Sequence, residues 1–199
     1  MFPPREAAAP TPGEQTREFT DIERALLLNI AHQSIESVLK HQQLLFEPPP
    51  SDHLAKPRGA FSTLYLHQQL RGCVGYFEAV KPLYITVAET ACAAAFDDTR
   101  FLPVSVQEAA DLRVSLSVLS PLRVIRPEEI QIGVHGLVVT QGIYRGLLLP
   151  QVAEEHGWDR IAFLQQTCRK AGLSSDAWRQ GALVQAFSAE IFGDLEESQ

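Results

Sequence analysis

The sequence predicts an α+β fold, in which an antiparallel or mixed sheet is flanked by helices within a single domain. Segments with the period-two alternation of β-strands fall in groups joined by short turns, as hairpins do. Segments with helical periodicity lie between these groups, which favours helices packed on one or both faces of the sheet. The length of 199 residues suits one domain, and it is enough to bury a sizeable core.

Ordered structure is predicted to begin with a helix at Thr20. Thr20 and Glu23 form a T-x-x-E capping box, which satisfies free amides in a first helical turn. The run Pro48–Pro50 prevents this helix from continuing, because proline has no amide donor. Residues 1–17 are rich in Pro, Ala, Gly and Thr and lack periodicity, so we expect a disordered tail. Apolar residues recur on one helical face at Leu27, Ile30, Ala31, Ile35, Val38 and Leu39.

A hairpin and a second helix follow. Residues 60–66 alternate and are rich in Phe, Thr and Tyr, and residues 70–77 are interpreted as the returning strand. Pro82 opens a helix that runs to about Phe96. The same signals predict the remaining elements: a second capping box (Ser105 with Glu108), strands at 112–118, 132–140, 143–149 and 183–192, and helices that begin at Pro150 and at the cap Asp159. The folded domain is therefore predicted at 18–193, with a frayed acidic end at 194–199.

Composition excludes several functional classes. The chain has 24 acidic and 17 basic residues and a net charge of −7, which disfavours nucleic-acid binding because phosphates require a basic face. No apolar run is long enough to span a membrane, and the first residues lack the apolar stretch of a secretory signal. The three widely spaced cysteines indicate neither a disulfide framework nor a zinc site. These features predict a cytoplasmic protein with free thiols.

The segment Leu70-Arg71-Gly72-Cys73-Val74-Gly75 is the most unusual local feature. Alternation along a strand predicts that Arg71 and Cys73 share one face, where the guanidinium would favour the reactive thiolate. Gly72 and Gly75 are binding candidates, because glycines within a strand mark a bulge or the close approach of a ligand or another backbone. The opposite face is predicted to be core and carries Leu70, Val74 and Tyr76.

Two interpretations of Cys73 stay open. It is the candidate catalytic thiol, but a free cysteine is also a common small core residue, and the glycines would equally admit a packed helix. Cys92 and Cys168 lie on predicted helices and are interpreted as packing residues.

Three other residues are weaker candidates. Asp98 and Arg100, after the second helix, are binding candidates, although such a pair also serves simply to fix a loop. His135, on the predicted strand 132–140, is a second catalytic candidate, since a histidine near a thiolate acts as its base. Nothing in the sequence brings His135 near Cys73. The chain lacks the common zinc and nucleotide-binding motifs, so the sequence names no cofactor and leaves that question open.

Taken together, these segments resemble the AMMECR family. The motif LRGC-[IV]-G carries most of the specificity, and the matching segments span residues 23–192. They are 59–61, 70–75, 100–104, 134–137, 146–152, 157–158 and 168–173, with Trp178. The pattern is similar to its prokaryotic type, protein A of the AmmeMemoRadiSam system.

The resemblance implies a two-lobed α+β domain and two companions, a Memo-like protein and a radical S-adenosylmethionine protein. It implies no established reaction, so whether the chain is an enzyme stays open. The leading hypothesis is a system component whose Cys73 pocket binds or transfers a small group. One rival is a non-catalytic interaction module, and a second, which the acidic balance disfavours, is nucleic-acid binding. Two positions depart from the family pattern: Thr99 replaces a frequent proline, and Ser115 replaces a frequent glutamate.

Overall fold

A computed structural model describes residues 17–42 and 51–194. Five helices and eight strands lie within these ranges, together with two short 3-10 turns at Pro127–Glu129 and Ala177–Arg179. In chain order the elements are α1 (Asp21–Leu39), β1 (Ala60–Leu66), β2 (Gln69–Tyr76), α2 (Leu83–Phe96), α3 (Val106–Ala109), β3 (Leu112–Leu119), β4 (Arg123–Val124), β5 (Gly136–Gln141), β6 (Tyr144–Leu148), α4 (Pro150–Glu155), α5 (Arg160–Lys170), β7 (Leu183–Phe187) and β8 (Ala189–Gly193).

The first lobe is an antiparallel sheet in the order β2-β1-β3-β8, with α1 and α2 packed on one face. Alternation in β3 buries Leu112, Val114, Leu116 and Val118 on the helix side. The alanine-rich stretch of α2 allows that helix to lie close to β1 and β2. The capping box of Thr20 and Glu23 starts α1 as predicted.

The second lobe is an antiparallel sheet in the order β4-β7-β5-β6. Its core lies between this sheet and the helices α4 and α5, around Phe163, Leu164 and Leu137. Asp159 caps α5 by accepting a hydrogen bond from the amide of Ala162, and Gly172 follows the helix in a left-handed conformation.

The chain passes between the lobes at two adjacent points, Ser120 and Ser188. The amide of Ser120 donates to the carbonyl of Ser188 at 2.8 Å, and the amide of Ser188 donates to the Ser120 hydroxyl at 3.0 Å. A third, smaller core joins the sheets here and contains Leu119, Val138 and Phe187.

The predicted α+β class and both capping boxes are confirmed. The strand predicted at 183–192 is wrong as a single element, because it divides at Ser188 into β7 of one sheet and β8 of the other. The strand predicted at 132–140 begins only at Gly136, since Gly133 adopts a φ of +79° and turns the chain. His135 therefore precedes the strand.

Predictions for the tail, the proline run and the acidic end fall mostly outside the described residues. Among the helices of the described ranges, none is both long and apolar enough to cross a membrane.

Candidate functional site

The candidate site lies on β2, an edge strand of the first sheet. β2 pairs with β1 through a register shift, in which Leu64 lies opposite Gly72 and Tyr65 lies opposite Leu70. Arg71 is the extra residue of this β-bulge. A bulge interrupts alternation, so the prediction that Leu70 shares the core face with Val74 is wrong. Leu70 lies opposite Tyr65 and is 43% exposed, whereas Val74 packs against the first core.

The two glycines that flank Cys73 are required by packing inside the protein. A Cβ on Gly72 would lie 2.1 Å from the carbonyl oxygen of Ala94 on α2. A Cβ on Gly75 would lie 2.0 Å from the ring of Phe61 on β1. Each glycine therefore allows another part of this chain to approach β2 closely, α2 at Gly72 and the ring of Phe61 at Gly75.

Cys73 lies on the sheet face opposite the helices. Its Sγ is 3.3 Å from the hydroxyl of Thr63, the residue directly across on β1. Thr63 in turn pairs with Ser115 on β3, so the thiol and two hydroxyl side chains form a row across three strands. All three residues are partly exposed. The row places Ser115 two strands from Cys73.

The Asp98–Arg100 loop holds the free edge of β2 at Cys73, and we call this arrangement the edge clamp. The Cys73 amide donates to Oδ2 of Asp98 at 2.9 Å, and Nη2 of Arg100 donates to the Cys73 carbonyl at 3.3 Å. Arg100 also binds both carboxylate oxygens of Asp98, at 2.9 and 2.7 Å. The clamp supplies a donor and an acceptor where a neighbouring strand would otherwise pair.

The charges of the edge clamp stabilise one another. Hydrogen bonds from Arg100, and next from the Cys73 amide, hold the pKa of Asp98 well below its usual range. The pKa of Arg100 is raised by its hydrogen bonds to Asp98, then by the charge of Asp98 and also by that of Cys73.

Arg71 is held by residues of the segment that follows α2. Its guanidinium forms a paired contact with Glu108, Nε to Oε1 at 2.9 Å and Nη2 to Oε2 at 3.2 Å, and it reaches the carbonyl of Pro103 at 3.3 Å. The hydrogen bond from Arg71, and next that from the Ser105 amide, lower the pKa of Glu108 to about 2. The β-bulge breaks the alternation that would have put Arg71 on the face of Cys73.

His135 lies in the second lobe and is not brought together with Cys73. Its Nδ1 accepts a hydrogen bond from the Gln131 amide at 3.1 Å, and its Nε2 lies 3.1 Å from Nη2 of Arg123. Burial, and then the charge of Arg123, lower its pKa. Cys73 and His135 share no hydrogen-bond partner, so His135 is not placed to act as a base for the thiol.

The other two cysteines differ in exposure, since Cys92 is half-buried, as Cys73 is, whereas Cys168 is buried. Burial raises the pKa of Cys92 to about 11 and raises that of Cys168. Cys168 belongs to the core of the second lobe. Burial thus disfavours the reactive thiolate at both positions.

An open cavity of about 380 Å³ begins two residues beyond Cys73. Gly75, Tyr76, Phe77, Glu78, Val80, Lys81 and Thr86 line it. A second cavity of about 290 Å³ shares Phe77 and Glu78 and extends to β6 of the second lobe. Cys73 is in neither lining, which separates the thiol from these two cavities. Among the described residues, no three His, Cys, Asp or Glu side chains are grouped to hold a metal ion.

Two residues of the site were not identified from the sequence. Thr63 becomes visible only when the register of β1 and β2 is known. Glu108 was recognised as a capping residue, and its second role as the partner of Arg71 has no local signal, because 37 residues separate the two.

Comparisons with other proteins agree with this architecture. Residues 28–192 match the family model described as AMMECR1. Protein MK0488 of Methanopyrus kandleri is 40% identical over 185 residues, covering 87% of this chain and 89% of that protein. A protein of Methanothermobacter thermautotrophicus is 45% identical over 175 residues, covering 83% and 91%. The crystal structure of protein PH0010 from Pyrococcus horikoshii is similar, with a TM-score of 0.68 and 39% identity, covering 87% of this chain and 92% of that one.

Proposed function

The chain belongs to the AMMECR1 family, and we propose that it acts as protein A of an AmmeMemoRadiSam modification system, in which Cys73 binds and transfers a small group. Its companions would be a Memo-like protein and a radical S-adenosylmethionine protein. The same proposal places the protein in the cytoplasm, where thiols stay reduced.

The edge clamp is the observation that carries this proposal. It fixes the backbone of Cys73 on both its donor and its acceptor side, and it brings the Arg100 guanidinium to the Cys73 carbonyl. A nearby cation favours the thiolate, which is the nucleophilic form of cysteine. Cys73 and Cys92 are both partly exposed and Cys168 is buried, and burial raises the thiol pKa of Cys92 and of Cys168.

The chemistry is a redox-neutral transfer. The Cys73 thiolate attacks an electrophilic acyl carbon, a sulfur–carbon bond forms, and the bond to the leaving group breaks. The leaving group takes the electron pair and a proton from solvent. A second nucleophile then takes the acyl group and releases the thiolate.

Timed alkylation with iodoacetamide tests whether Cys73 is reactive. Peptide mass spectrometry should show Cys73 labelled first, and Arg100→Ala should slow this labelling while Arg100→Lys, which retains the charge, slows it less. The matched control is Arg145→Ala, which removes a similarly exposed arginine paired with Glu78. Labelling of Cys73 no faster than that of Cys92 contradicts the proposal.

Incubation with the two companion proteins tests the place in the system. Intact mass should show an adduct that is absent from Cys73→Ser. If both companions bind the chain but leave its mass unchanged through repeated turnover, the carrier role is wrong.

A non-catalytic interaction module is the second candidate, and exposed apolar residues beside the site favour it. Leu102 is 83% exposed, Val106 is 65% exposed and Leu70 is 43% exposed. All three lie within two residues of Arg71, Pro103 or Glu108, which contact one another. If Leu102→Asp abolishes companion binding and Cys73→Ser changes neither binding nor the system's activity, this function replaces the first.

A further inference from the structure

We propose that the free edge of β2 at Gly75 binds an extended peptide segment of a partner protein, with one apolar side chain of the peptide in the adjacent cavity. This binding site does not depend on the reactivity of Cys73. It therefore goes beyond the proposed function.

The backbone directions on β2 follow from the edge clamp. Both the amide and the carbonyl of Cys73 point away from β1, since Asp98 and Arg100 bind them. Residues two apart on an antiparallel strand direct these groups to the same side. Gly75 therefore also directs its N–H and C=O away from β1, and no hydrogen bond from the described ranges reaches either group.

The cavity of about 380 Å³ opens at this unpaired position. Its volume lies in the range typical of ligand pockets, about 300–1,000 Å³. Tyr76, Phe77 and Val80 supply apolar lining, and Val80 is 72% exposed. The charged lining residues are already paired, Lys81 with Glu89 and Glu78 with Arg145. The pocket consequently suits an uncharged, apolar side chain.

In strand addition, an extended peptide pairs with the edge of a sheet as an extra strand. This mode of binding uses an unpaired strand edge together with a pocket for a side chain, and both are present at Gly75. Main-chain hydrogen bonds supply affinity in that mode, and the pocket supplies specificity. A peptide backbone offers an acceptor and a donor at the spacing of the Gly75 amide and carbonyl. A second copy of this chain is the alternative occupant of this edge, and the concentration series below distinguishes it from a peptide.

A titration followed by amide NMR tests the site with a capped pentapeptide, acetyl-Thr-Val-Phe-Val-Thr-amide. Saturable shifts are expected at the amides of Gly75 and Tyr76, and exchange of the Gly75 amide should slow by about fivefold or more at saturation. The control peptide carries an N-methyl group on its central residue, which removes one donor, and should bind at least about tenfold more weakly.

Two variants locate the apolar pocket. Val80→Asp should weaken binding of the pentapeptide several-fold, whereas Ile143→Asp, at a position 93% exposed in the β5–β6 turn, should leave it unchanged. The proposal is overturned if no saturable shift appears at Gly75, if the N-methylated peptide binds equally well, or if Val80→Asp has no effect. Protection of Gly75 that rises with protein concentration alone overturns it in favour of a second copy.

Discussion

β2 is an edge strand of the first sheet, and β4 is an edge strand of the second. The two differ in how they are protected from unwanted pairing with another chain. β4 has only two residues, and a strand that short offers little edge to another chain. β2 has eight residues and is protected by charged side chains and a bulge. The two-residue edge of β4 needs no further protection. The longer edge of β2 is bound by the edge clamp at Cys73 and is unpaired at Gly75, which is the position proposed above to bind a peptide.

The largest expected effect comes from the glycines at which each sheet approaches a helix. Gly72→Ala should destabilise the protein by about 1–3 kcal/mol, because the added methyl group meets the Ala94 backbone. Gly146→Ala should cost a similar amount in the second lobe, where the obstacle is the Ala171 backbone. Urea unfolding measures both.

The control for these substitutions is Gly142→Asn. Gly142 has a φ of +60° with nothing within 4 Å, and asparagine tolerates this conformation. If Gly72→Ala is as stable as this control, then α2 does not approach β2 as closely as described.

Removing the carboxylate of the edge clamp should open β2 at Cys73. In Asp98→Ala, exchange of the Cys73 amide should accelerate by about tenfold, because its acceptor is lost. Asp111→Ala is the matched control, because it removes the carboxylate of an exposed aspartate outside the edge clamp. Unchanged exchange in Asp98→Ala would mean that the clamp does not protect the edge.

Acidification should weaken the second lobe through His135. Its pKa in the folded protein lies below the ordinary 6.5, so the unfolded chain binds the proton more readily. The stabilisation is therefore complete above about pH 6.5 and is lost as the pH falls through the lower folded pKa. Urea midpoints between about pH 7 and pH 5 should fall less in His135→Gln than in wild type.

The control for the pH series is His156→Gln, which replaces an exposed histidine. An identical pH dependence for wild type and His135→Gln would show that another group titrates. The carboxyl pKa values of Glu23 and Glu108 are lowered to about 2 each, so these two groups affect the free energy of unfolding at lower pH than His135 does.

The smallest effect is expected at Ser115, which shares the row of Cys73 and Thr63. Ser115→Glu places a carboxylate about 10 Å from the thiol, two strand spacings away. A like charge at this distance in water should slow iodoacetamide labelling of Cys73 about twofold. Ser117→Glu, one row further along β3, is the control and should have less effect. Faster labelling in Ser115→Glu would contradict this prediction.

Much of the fold was accessible from local patterns, because capping boxes and alternation are decided by neighbouring residues. Thr20, Ser105 and the buried residues of β3 fall where those patterns place them. The site was less accessible, since the bulge at Arg71 and the division at Ser188 depend on which strands pair. Cys73 and Asp98 were each recognised as candidates, but their hydrogen bond crosses 25 residues of chain. No local signal reports a contact of that kind.

The adjacent crossings at Ser120 and Ser188 have a consequence for synthesis on the ribosome. β3 and β8 are neighbours in the first sheet, yet the whole second lobe lies between them in the sequence. The buried Glu190 of β8 also binds Arg24 at the start of α1. Although domains generally begin folding from the N-terminus as they emerge, the first lobe here must wait for β8, which is synthesised after the whole second lobe. The second lobe, whose strands are contiguous in the nascent chain, can be complete before the first.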